Sequence, residues 1–256
     1  MASLSPPPHS GTDGAAGETE GSIVARWTTL PARLLKGELP GTPALAARLL
    51  LAFAVTQALF LGLAEAAARA FYPDIHPTDL ATLAAVHDLA SPALTLLFLA
   101  LTTVGGGAAN VPLAAACGWL LAARQAPVRG IALLLVMAGA AVLEGATKLA
   151  LHRARPDLFR LAAASGYSFP SGHALGATAL YGWLALSLWS RVTSRWGRAG
   201  LLALAILMPL GIGLSRVYLG VHYPSDVLGG WTAGLLWLGA ASLAVRAPKR
   251  SSSKPL

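Results

Sequence analysis

Ionisable and small polar side chains gather in three short stretches of an otherwise apolar chain. They are Lys148-Leu-Ala-Leu-His-Arg-Ala-Arg155-Pro156, Phe169-Pro170-Ser171-Gly172-His173, and Ser215-Arg216 running through His222 to Asp226. Lys148 and Arg155 stand seven positions apart, about two helical turns, and share one face if the helix continues. Two cations aimed at one place neutralise the non-bridging oxygens of a phosphate, the arginine bidentately. The plainer alternative is a pair of side chains snorkelling to a membrane surface. In the second stretch, proline suits the first turn of a helix and glycine lets an anion approach the backbone. Free amides there, with the Ser171 hydroxyl, make an anion site, and His173 lies within reach of what binds; a plain helix start with an interfacial histidine is the alternative. In the third, Asp226 falls in the first turn of a helix opened by Pro224, where the dipole favours a carboxylate. Asp226 close to His222 would hold the proton on Nδ1 and leave Nε2 as a nucleophile; a purely structural His–Asp bond is the alternative. Cations for equatorial oxygens, a nucleophile and an acid form the set that phosphoryl transfer needs.

The composition limits what can hold these stretches. Of 256 residues, 55% are hydrophobic and 12% charged, and the mean hydropathy is +0.61. A soluble domain carries about a quarter charged residues. Uncharged runs at 49–64, 174–190, 199–214 and 227–245 approach the roughly 20 apolar residues that cross a bilayer core. They are Leu/Ala-rich without strand alternation, which selects helices over a barrel. The expected fold class is all-α: a polytopic membrane helical bundle with six transmembrane helices, at about 44–69, 91–123, 129–151, 171–190, 199–217 and 224–245. The second span is long and is expected to break near Gly105-Gly106-Gly107, ahead of Asn110 and Pro112. Residues 72–90, with Asp74, His76, Asp79, His87 and Asp88, read as an extracytoplasmic surface helix.

Charge sets the topology. Thirteen of the 19 Lys and Arg fall in four clusters: Arg26/Arg33/Lys36/Arg48, Arg124/Arg129, Arg191/Arg195/Arg198 and Arg246/Lys249/Arg250/Lys254. With 91–123 crossing once, all four lie on one side, as the positive-inside rule requires. The net charge of +8 therefore reflects orientation, not a nucleic-acid surface. Both termini are expected to be cytoplasmic and all three chemical stretches extracytoplasmic. Residues 1–42 are expected to be a disordered, basic cytoplasmic region, 43–246 the six-span domain, and 247–256 a basic tail. Met1–Ser22 lacks the basic start and apolar core of a signal peptide. Cys117 is the single cysteine, so no intrachain disulfide forms.

Lys-x6-Arg-Pro, Pro-Ser-Gly-His and Ser-Arg-x5-His-x3-Asp, in that order over 148–226, resemble the three signature motifs of the type 2 phosphatidic acid phosphatase family. The superfamily includes vanadium haloperoxidases and glucose-6-phosphatase. The resemblance implies metal-independent hydrolysis of a lipid phosphate or pyrophosphate through a phosphohistidine. His222 is then the nucleophile, Asp226 its orienting carboxylate, and His173 the general acid and later base. Lys148, Arg155, Ser171, Gly172 and Arg216 are the implied phosphate ligands. No metal and no cofactor are implied. The implied partners are a lipid phosphate and membrane lipids, with no nucleic acid and no obligate protein. Undecaprenyl pyrophosphate, phosphatidic acid and phosphatidylglycerophosphate are the family-level substrates. A phosphotransferase, or a non-catalytic transporter or scaffold of the same fold, are the alternatives. The Ala, Gly, Leu and Arg richness points to a GC-rich bacterium, and the expected location is a bacterial inner membrane. Glu144 is read as a structural partner of Lys148, and His152, Arg153, Asp157 and Arg160 as solvated loop, with contact to a substrate head group as the alternative. Tyr218, Tyr223 and Trp231 read as packing or interfacial aromatics, and His76 and His87 as surface residues.

Overall fold

The computed structural model describes residues 42–123 and 127–245. The expected amino-terminal region, save residue 42, and the whole of the expected basic carboxy-terminal tail lie outside the described residues. Seven helices make up the described chain: α1 Thr42–His87, α2 Pro92–Gly105, α3 Gly107–Ala123, α4 Pro127–Leu151, α5 Gly172–Leu188, α6 Arg195–Tyr218 and α7 Pro224–Val245. The fold is an all-helical membrane bundle, with no strand among the described residues.

Four helices are long and apolar enough to span a bilayer: Leu45–Phe71 of α1, α4, α6 and α7. The pair α2 and α3 adds a fifth if it crosses as one, bent by 51° where Gly106 interrupts the ladder. This is the expected break at the glycines. The remaining expected span, α5, is a 17-residue helix. At 1.5 Å per residue it covers about 26 Å, slightly less than a hydrocarbon core.

α5 is buried on nearly every side, and α4, α6 and α7 pack around it. An apolar helix without a polar face belongs at the centre. The surrounding helices turn leucines outward: Leu51 of α1 is 66% exposed, Leu207 of α6 64% and Leu235 of α7 62%. A shell of that extent is tolerable only against lipid. Inside, Trp237 is 2% exposed, stacks edge-on against Phe53 at 5.6 Å, and donates from Nε1 to the Val136 carbonyl at 2.7 Å. That bond satisfies the indole as it joins α7 to α4.

α1 differs from expectation. It does not stop at the membrane surface but runs through Pro73 and Pro77 to His87. Two prolines withdraw two backbone donors, so tertiary packing has to hold the last turns. It does so through Leu83, 2% exposed, which packs with Leu80 and Val86 against Val217, Tyr223 and Val227. The 72–90 segment is therefore docked on the bundle rather than laid on a surface. His76 packs edge-on against Tyr223 at 5.5 Å and His87 stacks on Phe159 at 4.3 Å, which corrects the reading of both as surface residues.

Inward and outward faces should respond differently to truncation. Trp237→Ala is expected to cost about 3 kcal/mol or more, whereas lipid-facing Leu207→Ala should stay within about 0.5 kcal/mol. Thermal unfolding of both variants in one detergent tests this; equal shifts in Tm would contradict the packing described.

Candidate active site

The three chemical stretches meet at one end of the bundle, where α4 and α6 finish and α5 and α7 begin. α4 stops at Leu151 because His152 takes a left-handed conformation (φ 48°) while its N–H caps the Lys148 carbonyl at 3.0 Å. The helical continuation that would align Lys148 with Arg155 is therefore absent. Arg155 arrives on the 152–171 loop instead. Its Nε donates to the carbonyls of Ser165 and Gly166 at 3.1 and 3.0 Å, and Nη1 to that of Val221 at 2.8 Å. Backbone bonds Ser168 N to Arg153 O (2.8 Å) and Leu161 N to Leu219 O (3.0 Å) fasten this loop to itself and to the α6–α7 turn.

That turn depends on Gly220 at φ +68°, where a Cβ would run into the Phe159 carbonyl. Only glycine fits such a backbone at such a contact. Beyond it the amides of Val221 and His222 cap the Arg216 carbonyl at 3.1 and 3.3 Å, and His222 points inward, 1% exposed. The Arg155 guanidinium approaches Nε2 at 3.0 Å. Guanidinium has no acceptor, so Nε2 must offer its lone pair and the ring proton resides on Nδ1. Nδ1 faces Asp226 Oδ2 and Ser168 Oγ, each at 3.4 Å. Burial lowers the His222 pKa to about 4, with Arg155 and Arg216 adding to the fall and Asp226 opposing it. The ring is neutral in the resting protein.

Asp226 is fully buried. It accepts from Arg153 Nη1 at 2.6 Å, from the Tyr223 amide at 2.8 Å, and from the Ser168 hydroxyl. Its own carbonyl accepts from Ser171 N at 3.0 Å, tying α7 to the start of α5. There Ser171 Oγ is buried without a hydrogen-bond partner among the described residues, beside the free amides of the first α5 turn. Lys148 Nζ pairs with Glu144 Oε1 at 2.6 Å, and the Glu144 carboxylate lies against Gly172, where any side chain would strike it. Arg216 reaches across to the Thr102 hydroxyl of α2. His173 feels the charges of Arg216, His222, Lys148 and Arg155. All eight residues singled out in the sequence thus share one site, with both histidines on the same side of the bundle. Among the described residues, no group of three His, Cys, Asp or Glu is arranged to hold a metal.

The sequence reading missed four participants. Arg153, taken as solvated loop, has a side chain only 14% exposed; besides Asp226 it grips Asp79 at 2.7 Å and Ser225 at 2.7 Å, and covers the Tyr223 ring at 4.3 Å. Ser225 binds Asp79 in turn, through N at 3.0 Å and Oγ at 2.5 Å. Ser168 completes the set. A signal for Asp79 existed: Ile75, Asp79, Leu83 and Val86 recur at helical spacing, leaving one acid on an apolar stripe.

An all-helical membrane bundle with a buried histidine, a carboxylate and clustered cations at one end is the architecture of an integral membrane phosphoryl-transfer protein. The chain belongs to the PAP2 superfamily. The family model matches residues 129–250. Phosphatidylglycerophosphatase B of Bacillus subtilis is 33% identical over 147 residues, covering 57% of this chain and 72% of that protein. An undecaprenyl-diphosphatase of Sulfolobus acidocaldarius is 38% identical over 79 residues, 31% of this chain and 34% of that one. The crystal structure of a transmembrane PAP2-type phosphatidylglycerolphosphate phosphatase from Bacillus subtilis superimposes with a TM-score of 0.66. Its sequence is 29% identical, over 73% of this chain and 93% of that chain.

Proposed function

We propose that the chain hydrolyses a lipid phosphate or lipid pyrophosphate without a metal, through a phosphohistidine on His222, at the extracytoplasmic face of a six-span membrane domain. The observation that carries the reading is the Arg155 bond to His222 Nε2, since it fixes the tautomer that a nucleophilic histidine needs. Phosphate draws the guanidinium onto its own oxygens, and the Nε2 lone pair faces phosphorus. Lys148, Arg216, Ser171 Oγ and the amides of Gly172 and His173 hold the remaining oxygens.

In the first step the Nε2–P bond forms as the P–O bond to the lipid breaks. His173 gives its proton to the leaving oxygen, and Asp226 balances the positive charge on the phosphorylated ring. In the second, His173 takes a proton from water, the water oxygen attacks phosphorus, and the P–N electron pair returns to His222. A cavity of about 460 Å³ opens beside His173, lined by Gly105, Val111, Met137 and Glu144 among others. With His173 as the acid, this cavity receives the leaving group, and its largely apolar lining suits a hydrocarbon tail. Undecaprenyl pyrophosphate, phosphatidic acid and phosphatidylglycerophosphate are the candidate substrates. The named relatives, a phosphatidylglycerophosphatase and an undecaprenyl-diphosphatase, support this substrate class.

The orientation rests on the far ends of the same helices. Arg129 donates to the Ser187 carbonyl at 2.6 Å, and Arg198 lies over the Trp189 ring at 5.4 Å, so cations and interfacial aromatics crowd the end opposite the site. That end is assigned to the cytoplasm, together with both termini.

His222→Ala should abolish release of phosphate from lipid phosphates, by at least about a thousandfold, while folded protein accumulates normally. Substantial turnover by that variant would refute the covalent route. EDTA should leave the rate unchanged; a loss restored by Mg²⁺ would contradict the metal-free step. Because burial holds the His222 pKa near 4, its nucleophilic form persists at pH 5. Once the substrate's own ionisation near pH 6 is divided out, the acid limb of kcat/KM should fall below about pH 5, while deprotonation of His173 sets any alkaline limb. An acid limb near the ordinary histidine value of about 6.5 would contradict the buried, neutral His222 ring.

A further inference from the structure

The carboxylate of Asp79, on the far end of a helix that contributes nothing else ionic to the site, is 3% exposed. It shares the Arg153 guanidinium with Asp226: Nη2 to Asp79 Oδ2 at 2.7 Å, Nη1 to Asp226 Oδ1 at 2.6 Å. Ser225, adjacent to Asp226 in sequence, bonds both Asp79 oxygens and accepts from Arg153 Nη1 at 2.7 Å. One cation is thus held between two buried anions, of which Asp226 faces His222.

We infer that Asp79 is a positioning residue for the proposed reaction: by neutralising Arg153 it leaves the Asp226 charge available to His222. The inference rests on the phosphohistidine reading given above. Charge counting states it simply. With Asp79 ionised, the trio carries one net negative charge, and that charge lies beside the ring that becomes cationic on phosphorylation. Remove the Asp79 charge and the whole of the Arg153 charge bears on Asp226, so the negative potential that the trio presents to His222 falls. Burial makes the difference large, because water screens little between buried charges. The charges at the Arg153 guanidinium agree: burial works against its cationic form, yet Asp226 and Asp79 together hold its pKa above the usual value. Geometry adds to charge. Asp79, Ser225 and the Tyr223 ring hold the guanidinium where it meets the Asp226 carboxylate.

The groups facing His222 are Asp226 from α7, Arg155 from the 152–171 loop, Arg216 from α6 and His173 from α5. None changes in Asp79→Asn, which preserves shape while removing charge. In full-length protein in detergent or vesicles, that variant should lose kcat by on the order of tenfold to a hundredfold, with KM for a lipid phosphate held within about threefold. The acid limb of kcat/KM should move to lower pH, because His222 loses negative charge nearby. Asp79→Glu should restore most of the rate. The double variant Asp79→Asn/Arg153→Gln returns the net charge to minus one and should be faster than Asp79→Asn alone. If Asp79→Asn does not accumulate, the double variant, which removes both charges of the Asp79–Arg153 pair together, decides the matter. Recovery of activity in it supports the inference, and a folded but inactive double variant overturns it. Wild-type kcat in Asp79→Asn, or a loss with an unmoved acid limb and additive effects in the double variant, also overturns it. If His222→Ala stays active, the underlying mechanism fails instead; a dead His222→Ala beside a fully active Asp79→Asn rejects only the role of Asp79.

Discussion

Asp226 is a carboxylate with no exposed surface, and the parts of the site are registered against it. Its side chain accepts from a loop arginine, a loop serine and the amide of Tyr223, while its backbone carbonyl accepts from Ser171. Those partners come from the 152–171 loop, the α6–α7 turn and the start of α5. An isolated buried carboxylate would cost several kcal/mol; this one is tolerated because nearly every lone pair is engaged. Its place in the first turn of α7 adds the favourable end of the helix dipole. The same bonds that make the ion bearable bring the Ser171 turn and His222 together, so solvation of one charge and assembly of the site are a single event.

The bilayer explains why chemistry sits at helix ends. Within the spans, exposed faces are leucine-rich, and buried polar side chains turn back to backbone carbonyls, as Thr147 does to Leu143 at 2.8 Å and Thr178 to Ala174 at 2.8 Å. α5 is central because its small residues let neighbours approach: Gly230 and Gly234 of α7 face it so closely that a side chain at either would strike Ala174 or Thr178. Close packing of that kind is how helices associate where no water drives them together. It also points the amino terminus of a fully buried helix, with its free amides, at the one place where cations converge.

Much of this was legible in the sequence. Apolar length gave helices, the glycine run gave the bend, and three spaced motifs gave eight residues that prove to be neighbours. What was not legible depended on chain direction after a helix stops. Lys148 and Arg155 are seven apart, which suggests one helical face, yet the left-handed turn at His152 ends the helix and Arg155 arrives by loop. The same turn sends Arg153 inward, although a basic residue in a short loop ordinarily seeks water. Asp79 was hidden for a related reason. Two prolines after a span suggest a break, and only the packing of Leu83 on Val217 and Val227 keeps the helix intact and its acid buried.

The resting cations are occupied, and on the proposed function this shapes what an arriving phosphate must do. Lys148 is paired with Glu144, Arg155 is spread over three carbonyls and the His222 ring, and Arg216 bonds Thr102. Phosphate binding at such a site is an exchange of partners, so its net strength is far below the sum of the new bonds. Glu144 adds repulsion, because its carboxylate lies against Gly172 where the anion would rest. For a lipid phosphate the deficit is made up by burying the hydrocarbon tail, at about 0.8 kcal/mol per CH₂. Inorganic phosphate has no tail to bury. On the proposed reaction the product therefore loses the larger part of what held the substrate, and the protein's own carboxylate and carbonyls stand ready to reclaim the cations. A site preloaded with its own acceptors binds an amphiphile and releases a free anion, which is the asymmetry a lipid phosphatase requires.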